Sequence, residues 1–301
     1  MGDVAAHLSP EDLDRLRAAR AGADPAESLF DPTSVTWRVN REAAILLGGG
    51  RALLLQIAHP LVAAGVASHS RFRQQPLERL WRTLDLMLTL VFADGARAIE
   101  AVRTIERVHA RVRGVLEADA GPFARGTPYD ASDPGLLFWV YATLVDTAPL
   151  VYERFVRPLT AAERAAYYEE SKAGARLFAI PEPLIPPTRE RFDAYVDEMV
   201  RGDVLAVGAA ARDVAASILR PPVPLVLAPV FRAGGFLAVG LLPPALRERY
   251  RLPWSARQER ILDVLAAATR AALPLVPPCV RLMPHARRAA RRRRARVSGS
   301  G

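Results

Sequence analysis

Apolar positions recur along most of this chain at alternating three- and four-residue steps, the mark of helices with one buried face. The clearest run is Ala98, Val102, Ile105, His109, Val112 and Leu116. It draws one stripe down a helix predicted over 95–118 with Asp94 as its cap, and leaves Arg103, Glu106, Arg107 and Arg113 on the charged face. The helix predicted before it, 76–93, is apolar nearly all round. The same periodicity turns Arg79, Arg82 and Thr83 to a common face there. A helix apolar on all sides is a buried one.

The remaining segments follow the same rules. Ser9-Pro10 opens a first helix, with a capping serine and proline at the first helical position. Residues 41–48 and 51–68 are predicted helical, with Gly48-Gly49-Gly50 as a helix-breaking turn between them and a bend at His59-Pro60. Helices follow over 134–155, from the Thr160–Glu163 capping box to Leu177, over 189–202 and 203–219, and over 254–270. No segment sustains two-residue alternation, so the fold class is all-α, a single multi-helix domain. The boundaries predicted are an N-terminal helix and linker over 1–34, the main domain over 35–270, and a basic, disordered tail over 271–301.

Charge changes this picture in one place. The net charge is +9, yet eight arginines and no acid lie between Arg281 and the end, so the first 280 residues carry about +1. The body offers no basic face, and nucleic acid is not an expected partner. One cysteine, Cys279, allows no intrachain disulfide. The N-terminus has no basic region leading into an apolar one, so no signal peptide is predicted and a cytoplasmic protein is expected. Residues 221–245 are rich in Leu, Val and Phe but broken by six prolines and Arg232. That segment and the arginine-rich tail are candidates for peripheral membrane contact.

Candidate chemistry centres on His109. A ring nitrogen in an apolar stripe must find a partner, and the pattern leaves two readings open: a core histidine satisfied by a neighbour, or a metal or haem-iron ligand. Arg79, Arg82 and Thr83 form a polar set facing it, and buried guanidinium groups need carboxylates, propionates or another oxygen-rich ligand. His59 and His69, ten residues apart, are no metal pair; His59 is a weaker pocket candidate. Phosphate-loop, dinucleotide-loop, serine-elbow and zinc-protease motifs are absent.

Seven ordered segments carry a resemblance. They are Leu54-Leu-Gln56-Ile-Ala-His59-Pro60 with Val62–Val66, His69-Ser70-Arg-Phe72, Arg79-Leu-Trp-Arg82-Thr83, Val108-His109-Ala-Arg-Val-Arg113-Gly114, Tyr129–Pro134, Leu137-Phe-Trp139-Val-Tyr141-Ala142-Thr143-Leu144, and Leu159-Thr160…Glu163…Tyr167-Tyr168. In order and spacing, over about 35–270, the chain resembles the DUF2236 family, which includes the bacterial rubber oxygenase called latex clearing protein and fungal membrane-bound oxygenases of the mycophenolic acid pathway. The resemblance implies a globin-like core holding haem b, with His109 as the proximal iron ligand. Arg79, Arg82 and Thr83 would form the distal wall, and His59 and Tyr141 would line the cofactor pocket. It implies dioxygen as co-substrate and an apolar, lipid- or terpenoid-like substrate. Two departures stand out. Arg82 replaces the family's distal lysine, and a guanidinium, unlike an amine, does not ligate iron. Tyr141 replaces a histidine. The alternative expectation is a non-catalytic helical protein that binds haem or lipid.

Overall fold

The computed structural model describes residues 9–20, 26–69 and 76–299, and within these the side chains other than those of 69, 76–82 and 295–299. It is an all-α protein. The helices are α1 (Pro10–Ala19), α2 (Val35–Asn40), α3 (Gly49–Ala58), α4 (Pro60–His69), α5 (Pro76–Phe92), α6 (Gly95–His109) and α7 (Pro134–Phe155). They continue with α8 (Ala161–Leu177), α9 (Arg189–Arg201), α10 (Ala209–Leu219), α11 (Ala228–Leu241), α12 (Pro244–Tyr250), α13 (Ala256–Ala272), α14 (Pro278–Arg281) and α15 (Pro284–Gly299). Among the described residues one antiparallel ribbon interrupts them, β1 (Arg113–Val115) on β2 (Pro128–Asp130), with Gly114 opposite Tyr129.

Local chemistry explains where the helices begin. The hydroxyls of Ser9, Thr160 and Thr188 and the carboxylate of Asp94 each accept from a backbone N–H of the first turn, and Ser9–Asp12 and Thr160–Glu163 are reciprocal capping boxes. The apolar faces meet in adjoining clusters. Leu88, Phe92, Ile99 and Val102 join α5 to α6, and Leu54, Leu55, Trp139 and Leu205 join α3 to α7 and the segment before α10.

Four expectations need correction. Gly48-Gly49-Gly50 does not break the helix: a 3-10 turn over Ala43–Gly48 runs directly into α3. The glycines serve close packing. A Cβ on Gly48 would fall 2.6 Å from side-chain atoms of Thr147 and Val151, and one on Gly50 would fall 2.6 Å from the Cβ of Ala238. The bare backbone lets α7 and α11 lie against α3. The helix predicted to reach residue 118 ends at His109, because Arg113–Val115 takes its backbone partners from β2 instead. Residues 203–208 are not helical; α10 starts at Ala209. Much of the expected disordered tail is α15, which buries Met283, Ala286 and Ala289 in the cluster with Leu88 and Phe92.

One described helix, Pro134–Phe155, is long and apolar enough to cross a membrane, but 61% of its most apolar window is buried inside the fold.

Candidate functional site

The chain turns sharply at His59. Pro60 excludes the α region for the residue before it, and His59 adopts φ −76°, ψ 120°. α4 therefore leaves α3 at 105°. The corner residue caps the new helix with its carbonyl, which accepts from Ala63 N–H at 2.9 Å. Its ring turns inward. Leu61 N–H donates to Nδ1 at 3.3 Å, and the ring lies 5.3 Å from that of Phe123. His59 is 6% exposed.

This corner forms one wall of a cleft of about 870 Å³. The ribbon supplies Tyr129, α7 supplies Leu136 and Trp139, and α9 supplies Tyr195 and Met199. The volume is that of a small-molecule site. Asp133, the N-cap of α7, stands at the cleft and accepts from Leu136 N–H at 3.0 Å. Burial pushes the His59 imidazole down to about 4, and the Asp133 carboxylate offsets only part of that. The ring is thus neutral at pH 7. Burial also pushes the Tyr195 phenol up to about 12. The Nε1–H of Trp139, a residue 1% exposed, is buried without an acceptor among the described residues.

His109 stands a short step away. It ends α6, and Ala110–Val112 then leads into β1, which lines the cleft; Val112 packs at Gly65 of α4. Its ring is half-buried and has no hydrogen-bond partner among the described residues. Burial lowers its pKa, with Glu106 opposing. A neutral, unpartnered imidazole is the form that ligates iron. Among the described residues no cluster of three or more His, Cys, Asp or Glu could hold a bare metal ion. A haem needs only one such ligand from the protein, so the donor chemistry at His109 fits haem better than a free ion.

The other predicted site residues are placed as follows. Arg79 and Arg82 fall on α5, which packs on α6, but their side chains lie outside the described residues. Thr83 is exposed. Tyr141 is on the opposite side of α7 from the cleft: its hydroxyl donates to Ser171 O at 2.5 Å and sits over the bare Cα of Gly174 on α8. Burial raises its pKa well above the usual phenol range. The structure therefore brings His59 to the cleft and ties Tyr141 into the α7–α8 packing. Trp139, Tyr195 and Phe123 escaped the sequence reading. Trp139 carried a signal, an indole N–H inside an otherwise apolar helix face that must find an acceptor.

The fold is helical, with an imidazole at a helix corner beside a largely apolar cleft. Residues 37–271 match the model of the ER-bound oxygenase mpaB/B'/rubber oxygenase catalytic domain, and the chain belongs to that family. Similar proteins include the uncharacterized protein Mb2261 of Mycobacterium bovis and the uncharacterized protein Rv2237 of Mycobacterium tuberculosis. Each is 28% identical over 235 residues, 75% of this chain and 87% of its own length. No solved structure matches significantly. The family gives the chain an oxygenase-like character.

Proposed function

We propose that the protein is a haem-b-dependent oxygenase acting on an apolar, lipid- or terpenoid-like substrate. The observation that carries this reading is the ring of His109, its charged form disfavoured by burial and with no hydrogen-bond partner among the described residues, at the end of the α6 helix of an oxygenase-family fold. His109 would hold the haem iron, and Arg79 a propionate or another anionic group. Arg82 would contribute charge but no iron bond, and Thr83 a hydroxyl on the distal side. Haem, when bound, supplies the redox chemistry of dioxygen; the chain supplies orientation and the exclusion of water. Leu136, Met199 and Phe123 give the cleft walls that suit an apolar substrate.

Protein supplied with haem is expected to show a Soret band that His109→Ala abolishes or shifts. No band, or an unchanged band in the variant, overturns the assignment. Oxygen consumption with an oxidisable terpenoid then separates an oxygenase from a haem- or lipid-binding protein without turnover.

Such a substrate is delivered most simply from a lipid surface. Leu225, Val226 and Val230, at 87%, 82% and 67% exposure, project from the proline-rich stretch before and at the start of α11, with exposed Arg220 and Arg232 on either side. Exposed apolar side chains flanked by basic ones suit an anionic membrane interface. Salt-resistant sedimentation with phosphatidylglycerol vesicles is expected, falling at least tenfold in Leu225→Glu/Val226→Glu. Protein that stays in the supernatant at low salt overturns this surface.

A further inference from the structure

Three residues that carry hydrogen-bond donors line the 870 Å³ cleft, His59, Trp139 and Tyr195, and the buried Nε1 of Trp139 has no acceptor among the described residues. Their hydrogen-bonding senses are fixed by chemistry. The indole N–H can only donate. His59 Nδ1 accepts from Leu61 N–H, so the neutral ring carries its proton on Nε2 and donates there. The phenol can donate as well. Trp139 and Tyr195 are neighbours, with ring centroids 6.4 Å apart. Around these donors the wall is apolar and aromatic, including Phe123, Leu136 and Met199.

From this arrangement we infer that the cleft is a binding site for an apolar molecule bearing a neutral carbonyl group, whose oxygen accepts from donors on this wall. A carbonyl oxygen has two lone pairs and no proton, which suits a wall of donors. A carboxylate suits it less. Asp133 and Asp130 line the cleft, and the Arg113 guanidinium there already faces Asp130 at 3.8 Å. A plain hydrocarbon would leave the buried indole N–H without an acceptor, which disfavours it relative to a ketone of the same length. The inference goes beyond the haem assignment and holds whether or not His109 binds iron.

The test uses the full chain labelled with 15N-tryptophan. Its four tryptophans give four indole N–H signals, and Trp139→Phe identifies that of Trp139. Titration with 2-octanone is expected to shift the Trp139 signal saturably, whereas octane should bind more weakly and leave the indole proton near its starting shift. Octanoate should bind more weakly than the ketone. Tyr195→Phe, which removes one oxygen and keeps the ring, should weaken 2-octanone about tenfold, the size of one neutral hydrogen bond, without changing octane binding. No saturable change at Trp139, equal affinity for ketone and alkane, or a Tyr195→Phe variant that binds the ketone like the parent overturns the proposal. The readout needs no haem, so its failure is distinct from a missing Soret band.

Discussion

Replacing Arg51 with alanine is expected to cost the fold about 3–5 kcal/mol, the usual cost of breaking a buried ion pair. Arg51 is 3% exposed. Its Nε–H donates to Leu241 O at 2.8 Å, one terminal nitrogen donates to Thr147 Oγ1 at 2.5 Å, and the other faces Asp146 Oδ2 at 2.6 Å. One guanidinium thus joins α3 to α7 and to the end of α11. Alanine would strand the Asp146 carboxylate in a mostly buried position and leave the last carbonyl of α11 without its donor. Lysine restores charge but not the fork, since a single ammonium cannot span three acceptors on two helices. Thermal melts should show Arg51→Ala lowest and Arg51→Lys intermediate. Arg51→Met combined with Asp146→Leu should recover much of the loss, because the stranded charge is gone. A melting temperature for Arg51→Ala within a degree or two of the parent would show that the network does not hold these helices together.

Features set by near neighbours in the chain are legible in the sequence, and those set by remote contacts are not. Caps are legible at Ser9, Asp94 and Thr160 because a capping side chain acts on a backbone three residues away. The corner at His59 was legible for the same reason, as proline constrains its immediate neighbour. Gly48-Gly49-Gly50 was misread because its cause is remote: only the approach of Thr147, Val151 and Ala238 explains why side chains are missing there. The stripe through His109 was extended too far. Val112 and Leu116 keep the helical spacing, yet a partner strand sixteen residues beyond Val112 supplies the backbone hydrogen bonds. Charge alone predicts a solvated tail where α15 forms, whereas Met283, Ala286 and Ala289 recur at three-residue steps and are buried. The cleft was the least legible feature. It gathers a helix corner near 59, a ribbon near 129, Trp139 and Tyr195, and no local pattern links positions so far apart.

The strongest pH effect should come from that corner. Burial holds His59 down to about 4 in the folded protein, against 6.5 when free in the unfolded chain. Between these values the unfolded chain binds a proton that the fold refuses, so the unfolded state carries more protons and stability rises with pH. The contribution is therefore full above about pH 6.5 and is lost as pH falls towards 4. A shift of this size corresponds to about 3 kcal/mol. His109, also lowered by burial, acts in the same direction. Denaturant midpoints measured from pH 7.5 to 4 should fall steeply for the parent and less steeply for His59→Gln, which keeps a polar side chain at the corner but has no proton to gain. The two curves should converge towards the acid end, because the penalty that His59 imposes there is absent from the variant. The folded-state ring should titrate near 4 by NMR, well below the pH at which an exposed histidine changes. Parallel curves for parent and variant, or a ring that titrates near 6.5, would mean that the imidazole is hydrated. A hydrated ring would also remove the neutral Nε2–H donor on which recognition of a carbonyl in the cleft depends.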